Sequence, residues 1–172
     1  MRFSRSITLF CVALAIPLRT YGQSATGSSS FTSELRKGLV VEEVTKNSQA
    51  ERAGVRSGDI LLSWNRAGVQ EEFGSPFDLA NVFFEQASKG PVVISGIRGR
   101  EQHRWRLNAD TWGISARPNF SEPLLSMYLH AEELVSAAKV PDAAGYFRNA
   151  ASLSVKSGPS WLPSWFLSVP GA

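Results

Sequence analysis

Closely spaced turns around two glycines constrain this protein of 172 residues more than any other feature. The segment that contains them, SQAERAGVRSGDILLSWNRAG, begins at Ser48. Its first part favours a short helix over Gln49–Ala53 that ends at Gly54, a residue suited to a left-handed position after a helix. A tight turn around Gly58 then leads into an apolar strand predicted over Ile60–Trp64. So many changes of direction over so short a segment fit only a small domain built from short elements.

Elements with equally clear patterns lie on both sides of this segment. A strand is predicted over Gly38–Val44, where β-branched residues are concentrated. A helix is predicted over Phe77–Ser88, with Ser75 as its N-cap and a proline at its first position. Two more strands, Val92–Ile97 and Gln102–Leu107, form a predicted hairpin. The helix has four apolar residues at helical spacing, which predict its core-facing stripe: Phe77, Ala80, Phe84 and Ala87.

The order of these elements and the stretch from Ser48 to Gly68 resemble the bacterial form of the PDZ domain, over residues 38–117. Gln49 stands where the family usually has proline, and Arg66-Ala67 is inserted before the last glycine. The resemblance implies an α+β fold, a small and partly open β-barrel or sheet with two helices, in a domain spanning residues 31–118. It also implies a groove between one strand and the longer helix. PDZ domains bind an extended peptide there, commonly the C-terminus of a protein, whose carboxylate is held by backbone N–H groups.

The family's carboxylate-binding Gly-Ile pair is missing from its usual place before the first strand. Phe31–Lys37 lacks it, whereas Trp112-Gly113-Ile114-Ser115, after the hairpin, contains it. A circularly permuted PDZ domain, with its groove strand at the end, would account for both facts. In the alternative interpretation Trp112 only caps the sheet, Ile114 belongs to the core and Asp78 complements the helix dipole. The resemblance implies six peptide-binding residues: Trp112, Gly113, Ile114, Ser115, Asp78 and Val82.

The N-terminus has the three parts of a secretory signal peptide. Met1–Arg5 is basic, Ile7–Leu18 is an apolar run of 12 residues, and Thr20 and Gly22 are small residues at −3 and −1 of a cleavage site. As a helix the run would be about 18 Å long, too short for a hydrocarbon core of about 30 Å, so no stable membrane span is predicted after cleavage. We expect a signal peptide over residues 1–22, a flexible leader over 23–30, and an exported protein, periplasmic or extracellular.

Cleavage would also change the composition. Three of the 18 basic residues and the single cysteine, Cys11, lie in residues 1–22, which leaves 15 basic residues against 15 acidic ones. The mature protein would have no cysteine and two histidines, a composition that excludes a thiolate nucleophile and a Cys/His zinc site. Its balanced charge argues against nucleic acid as a partner. The catalytic motifs of the common enzyme classes are absent, so we predict no catalytic residues, no metal, no cofactor and no enzymatic activity. Four arginines of the predicted hairpin are interpreted as a solvated sheet edge: Arg98, Arg100, Arg104 and Arg106.

A helical segment is predicted over residues 119–172. Leu124–Lys139 and Ala143–Lys156 predict an antiparallel helix hairpin, which resembles a tetratricopeptide repeat over residues 124–157. That resemblance implies a docking site for a second protein. A single pair of helices cannot cover its own apolar face, so Trp161 and Trp165 would be buried on the PDZ-like domain, on a second copy, or in a longer protein. The sequence favours a truncated repeat array or a docked partner.

Two hypotheses on function follow from the sequence. The first is an exported non-catalytic interaction module that binds an extended peptide or a protein C-terminus in a PDZ groove, while its helices dock a second protein. The alternative is a structural PDZ scaffold, or an accessory factor of a separate envelope protease with no catalysis of its own.

Overall fold

The structure is a computed structural model and describes residues 35–169. Over these residues the fold is α+β, with an open antiparallel sheet of six strands and five α-helices. The strands are β1 (Leu39–Val44), β2 (Ile60–Arg66), β3 (Val69–Glu72), β4 (Val92–Arg98), β5 (Glu101–Leu107) and β6 (Ile114–Pro118). The α-helices are α1 (Gln49–Ala53), α2 (Pro76–Asn81), α3 (Leu124–Ser136), α4 (Val140–Ser157) and α5 (Leu162–Ser168). The predicted signal peptide and leader lie outside the described residues.

The first and last strands of the sheet domain, residues 38–118, lie side by side. The strand order is β5-β4-β2-β1-β6, and β3 pairs with β2 outside this path. Along β1 and β6, Leu39 lies opposite Pro118 and Val44 lies opposite Ile114. Among the described strands only β1 pairs with β6, so β6 is an edge strand.

Strand β3 is not predicted from the sequence. Its sequence is one valine followed by three polar residues, so it has no alternation of apolar and polar side chains, and all four residues are exposed. Ala67 and Gly68, both with positive φ (51° and 86°), form the tight turn that pairs β3 with β2. Such a turn matches the twist of two antiparallel strands and extends the pairing beyond what hydrophobicity alone would indicate.

The predicted core-facing stripe of the longer helix is wrong in three of its four positions. Phe77 and Phe84 are 50% and 72% exposed, Ala80 is exposed, and only Ala87 is buried. The helix instead buries Leu79 and Val82. The reason is a π-helical turn over Val82–Gln86, in which the N–H of Ala87 donates to the carbonyl of Val82 five residues earlier. The wider turn places Ala87 on the same face as Val82. Counting back from Ala87 at α-helical spacing therefore assigns exposed residues to the buried face.

One arginine of the predicted solvated edge, Arg98, is instead paired across the sheet domain. Its Nε and Nη2 atoms donate to the two carboxylate oxygens of Asp59 at 2.7 and 2.8 Å, and Nη2 also donates to the carbonyl of Gly54. Asp59 is 1% exposed and also accepts from the N–H of Arg56. The buried carboxylate therefore joins the turn after α1 to the end of β4.

The helical segment, described over residues 119–169, has an apolar core of its own. Helix α3 packs on α4, and α4 packs on α5. Relative to the predicted boundaries, α3 ends three residues earlier, at Ser136, and α4 begins three residues earlier, at Val140. Trp165 of α5 is buried against Phe120 and Tyr128, so the described residues bury it without another repeat. The fully buried large residues of this core are Phe120, Leu124, Phe147, Leu162 and Phe166.

The helical segment contacts the sheet domain through a half-buried polar cluster. The hydroxyl of Tyr128 donates to the carboxylate of Glu42 at 2.9 Å, and Arg117 lies 3.3 Å from the same carboxylate. The guanidinium of Arg117 also lies over the rings of Phe120 and Tyr128. Burial raises the pKa of Glu42 above its ordinary value of 4.5, against the opposing effects of Tyr128 and Arg117. Burial and the nearby Glu42 charge likewise raise the pKa of Tyr128.

This raised pKa predicts how Glu42→Gln changes stability with pH. The folded state holds the Glu42 proton more tightly than the unfolded state, so this contribution is fully present below the ordinary pKa and is lost as pH rises through the folded pKa. We therefore expect the free energy of unfolding of the wild type, minus that of the variant, to fall as pH rises from about 4 to about 7. Urea unfolding followed by tryptophan fluorescence measures the difference. A difference that grows with pH would mean that Arg117 and Tyr128 outweigh burial.

None of the helices in residues 35–169 is both long and apolar enough to cross a membrane.

Candidate functional site

A groove lies between the edge strand β6 and helix α2. Its volume is about 510 Å³. One wall consists of β6, the loop before it and one residue after β1: Thr45, Thr111, Trp112, Gly113, Ile114, Ser115 and Ala116. The other wall consists of α2 and the π-helical turn: Pro76, Leu79, Ala80, Phe83 and Phe84.

Three successive peptide units at one end of the groove have their carbonyl oxygens bonded to α1 or to the residue after β1. The carbonyl oxygens of Thr111, Trp112 and Gly113 accept main-chain hydrogen bonds of 3.0, 3.1 and 2.8 Å. The respective donors are the N–H groups of Gln49, Ala50 and Thr45. Because the N–H and C=O of a trans peptide point in opposite directions, the N–H groups of Trp112, Gly113 and Ile114 point away from these donors. We call these three residues, which line the groove, the 112–114 loop; such a run of N–H groups is suited to an anion.

The backbone of this loop requires glycine at its centre. Gly113 has a φ of +63°, in the left-handed region that favours glycine. A Cβ at this position would lie 2.5 Å from the Cβ of Ser48 and 2.8 Å from the Cβ of Thr45. Ser48 is itself buried at the N-cap of α1. The loop therefore packs directly on the start of α1, and this packing sets the direction of its N–H groups.

A charged side chain holds the start of the loop without leaving a free negative charge there. Asp110 accepts from the N–H of Thr111 at 2.8 Å, from Gln49 at 3.4 Å and from Arg52 at 2.8 Å. The Thr111 N–H, the Gln49 amide and the Arg52 guanidinium lower the pKa of Asp110. Since Arg52 is paired with this carboxylate, the carboxylate's repulsion of a second anion at the 112–114 loop is reduced.

Alternate residues of β6 present main-chain groups to the open edge. The hydrogen bond from Thr45 to Gly113 makes Val44 and Ile114 a pair that is not hydrogen-bonded to each other. Val41, opposite Ala116, uses both its N–H and its C=O on the turn before β2. The main-chain groups of Ile114 and Ala116 therefore face away from β1. This two-residue spacing is what an added β-strand needs for pairing.

The helix side of the groove is apolar. Phe83 is partly buried, and its ring lies 5.5 Å from that of Trp112 on the opposite wall. The indole N–H of Trp112 donates to the carbonyl of Asn108 at 2.9 Å, and its ring is buried. Leu79 precedes Phe83 by one helical turn, and Phe84 is largely exposed. The groove therefore combines main-chain polar groups on one side with hydrocarbon on the other.

Four of the six residues predicted for peptide binding line this groove and two do not. Trp112, Gly113, Ile114 and Ser115 belong to its strand wall. Asp78 accepts from the N–H groups of Gly74 and Ser75 at 2.8 and 2.7 Å and so closes a capping box at the start of α2. Val82 is 4% exposed and belongs to the core. Both residues border a smaller depression, of about 270 Å³, on another face of the helix. Trp112 is also buried and Ile114 packs against the core, as the packing interpretation expects.

The helix residues of the groove are missed by the sequence reading, although the sequence does contain their signal. They follow the spacing i, i+3, i+4, i+7 and i+8, which defines one face of a helix. Taking Phe77 as the first residue of the buried stripe hides this face. The residues are Pro76, Leu79, Ala80, Phe83 and Phe84.

Metal binding and comparison with known proteins add no assignment to the groove. Within residues 35–169, no group of three or more His, Cys, Asp or Glu side chains is placed to hold a metal ion. No model of a protein family and no curated protein matches this sequence. Any functional assignment therefore depends on the geometry of the groove.

Proposed function

We propose that the protein is a non-catalytic peptide-binding module of the circularly permuted PDZ type, and that its groove receives the C-terminal end of an extended peptide. The observation that carries this proposal is that the carbonyl oxygens of Thr111, Trp112 and Gly113 are all bonded within the fold, which turns the N–H groups of the 112–114 loop away from those partners. A carboxylate is the anion that a peptide ligand can place at the end of such a groove. The open edge of β6 and the apolar wall of α2 support the same ligand.

The proposed ligand lies antiparallel to β6. Its carboxylate accepts hydrogen bonds from the 112–114 loop, and its main chain pairs with Ile114 and Ala116. Its last side chain enters the space between Leu79 and Phe83, which favours an apolar residue because these walls offer no hydrogen-bonding group.

The wider setting of this proposal comes from the sequence. The signal-peptide pattern of residues 1–22 supports export to a periplasmic or extracellular location. The helical segment exposes Leu129 and Val155, which are 51% and 68% exposed. These side chains support the expectation that the helices dock a second protein.

A peptide library with paired end groups tests the proposed function. The protein is screened against seven-residue peptides of random sequence with free carboxyl termini, and each binder is resynthesised as its C-terminal amide. We expect binders among the free acids and a loss of affinity of about tenfold or more on amidation, since hydrogen bonds to a charged acceptor are roughly twice as strong as neutral ones. Fluorescence polarisation measures both affinities.

Amide NMR shifts provide the second readout of the same experiment. We expect the largest shifts at Trp112, Gly113 and Ile114 with the acid and much smaller ones with the amide. Equal affinity for acid and amide, or an absence of binders, would contradict peptide-end recognition. That outcome would favour the structural scaffold or an accessory factor that acts through another surface.

A further inference from the structure

Beside the groove, near the Pro76 end of α2, the sheet domain contacts the helical segment. Phe77 follows the groove residue Pro76 and is 50% exposed. Its ring lies 6.3 Å from that of Trp161, at an angle of 89°. Trp161 directly precedes α5, which is anchored by burial of Leu162 and Trp165. A tryptophan from the helical segment therefore lies against a half-exposed phenylalanine from the sheet domain, one residue beyond the lining of the groove.

The spacing along the groove tells which ligand residues would reach this pair. From Phe83, beside Trp112, back to Pro76 is seven residues of helix, or about 10 Å at about 1.5 Å per residue. An extended peptide covers that distance in about three residues at about 3.4 Å each. If the C-terminal residue lies at Phe83, the residue beside Pro76 is the third before it. The pair of Phe77 and Trp161 is then reached by residues three to five positions before the C-terminal one.

We propose that Phe77 and Trp161 form an aromatic subsite that binds an apolar, preferably aromatic, side chain three to five residues upstream of the ligand's C-terminus. This inference rests on the proposed function, because it uses the position of the carboxylate at the 112–114 loop. Two rings in an edge-to-face arrangement offer a third ring both an edge and a face, and Phe77 has half of its surface free to be covered. The helical segment would then take part in reading the same peptide that the sheet domain binds.

Selection from the random seven-residue library, all with free carboxyl termini, tests the subsite. It is carried out with the wild type, with Trp161→Ala, and with Leu167→Ala as the matched control. Leu167 is an exposed apolar residue of α5, 57% exposed and outside the groove. We expect aromatic and large aliphatic residues to be enriched three to five positions before the end in the wild type and the control, but not in Trp161→Ala.

One selected peptide then completes a double-mutant cycle. Replacing its upstream aromatic residue by serine is expected to weaken binding to the wild type about tenfold. The same replacement should have little effect on Trp161→Ala, because the partner ring is already gone. Phe77→Ser provides a second variant whose side chain lies outside both buried cores, so a folding defect of Trp161→Ala would not leave the test without an answer.

The outcomes separate this inference from the proposed function. Two outcomes would overturn the subsite alone, in peptides that are still selected for their last residue. One is the absence of any upstream preference, and the other is an upstream preference that persists in both Phe77→Ser and Trp161→Ala. A dimer that Trp161→Ala dissociates, together with no upstream preference, would assign the pair to a second copy and would also overturn it. An absence of carboxylate-dependent binders would overturn the proposed function and the subsite with it.

Discussion

Replacing Gly113 by alanine is expected to weaken carboxylate-dependent peptide binding by about a hundredfold, while the protein stays folded. The added Cβ would lie 2.5 Å from Ser48 and 2.8 Å from Thr45, so the loop must move away from α1. Movement of the loop rotates the three peptide units of the 112–114 loop, and the proposed hydrogen bonds to a carboxylate depend on the direction of their N–H groups. Fluorescence polarisation with a peptide from the library measures the loss.

Gly99 offers a matched control for this substitution. Its φ of +61° is nearly that of Gly113, at +63°, so alanine suffers the same backbone penalty at either position. A Cβ on Gly99 meets nothing within 4 Å, because the residue lies in the turn between β4 and β5. We expect Gly99→Ala to bind peptide like the wild type. Unchanged binding by Gly113→Ala as well would show that the 112–114 loop does not hold the ligand.

Replacing Asp59 by alanine is expected to lower the free energy of unfolding by roughly 3 kcal/mol. The carboxylate is 1% exposed and accepts from two nitrogens of Arg98 and from the N–H of Arg56. Its removal leaves the Nε of Arg98 and the N–H of Arg56 without their acceptor, and the Gly54 carbonyl remains as the partner of Arg98 in the turn after α1. Urea unfolding followed by tryptophan fluorescence measures the change.

An exposed ion pair supplies the control for Asp59. Lys37 and Glu72 lie 3.3 Å apart with side chains 81% and 72% exposed, so solvent screens their attraction. We expect Glu72→Ala to leave the urea midpoint nearly unchanged. The double variant Asp59→Ala/Arg98→Met should recover part of the lost stability, since it leaves no unpaired charge. If Asp59→Ala and Glu72→Ala had equally small effects, the buried pair would not stabilise the fold.

The elements that the sequence predicts correctly are those bounded by special backbone positions. Strand β2 and helix α1 are confirmed because Gly54 and Gly58, both with positive φ, separate them as the sequence indicates. The π-helical turn over Val82–Gln86 has no such marker, and it changes which face of the helix is buried. Local spacing alone therefore assigns Phe77 and Phe84 wrongly to the core.

The candidate site is predicted on its strand side and missed on its helix side. The Gly-Ile pair at Gly113 and Ile114 marks the strand directly, because glycine and a β-branched residue have strong backbone preferences. Counting back from Val92 to Val82 and Asp78 assumes a regular helix, which the π-helical turn interrupts. The pairing of β6 with β1 joins residues far apart in sequence, and no local pattern encodes it.

The pairing of Leu39 with Pro118 means that the backbone enters and leaves the sheet domain at one place, with the two Cα atoms about 5 Å apart. Both strands belong to the same sheet, so the first and last residues of the sheet domain are neighbours in space. A domain whose ends are neighbours can be inserted between two adjacent residues of a host protein with little strain on the host backbone. All residues that line the groove lie within the sheet domain, so the insertion would transfer the groove to the host protein.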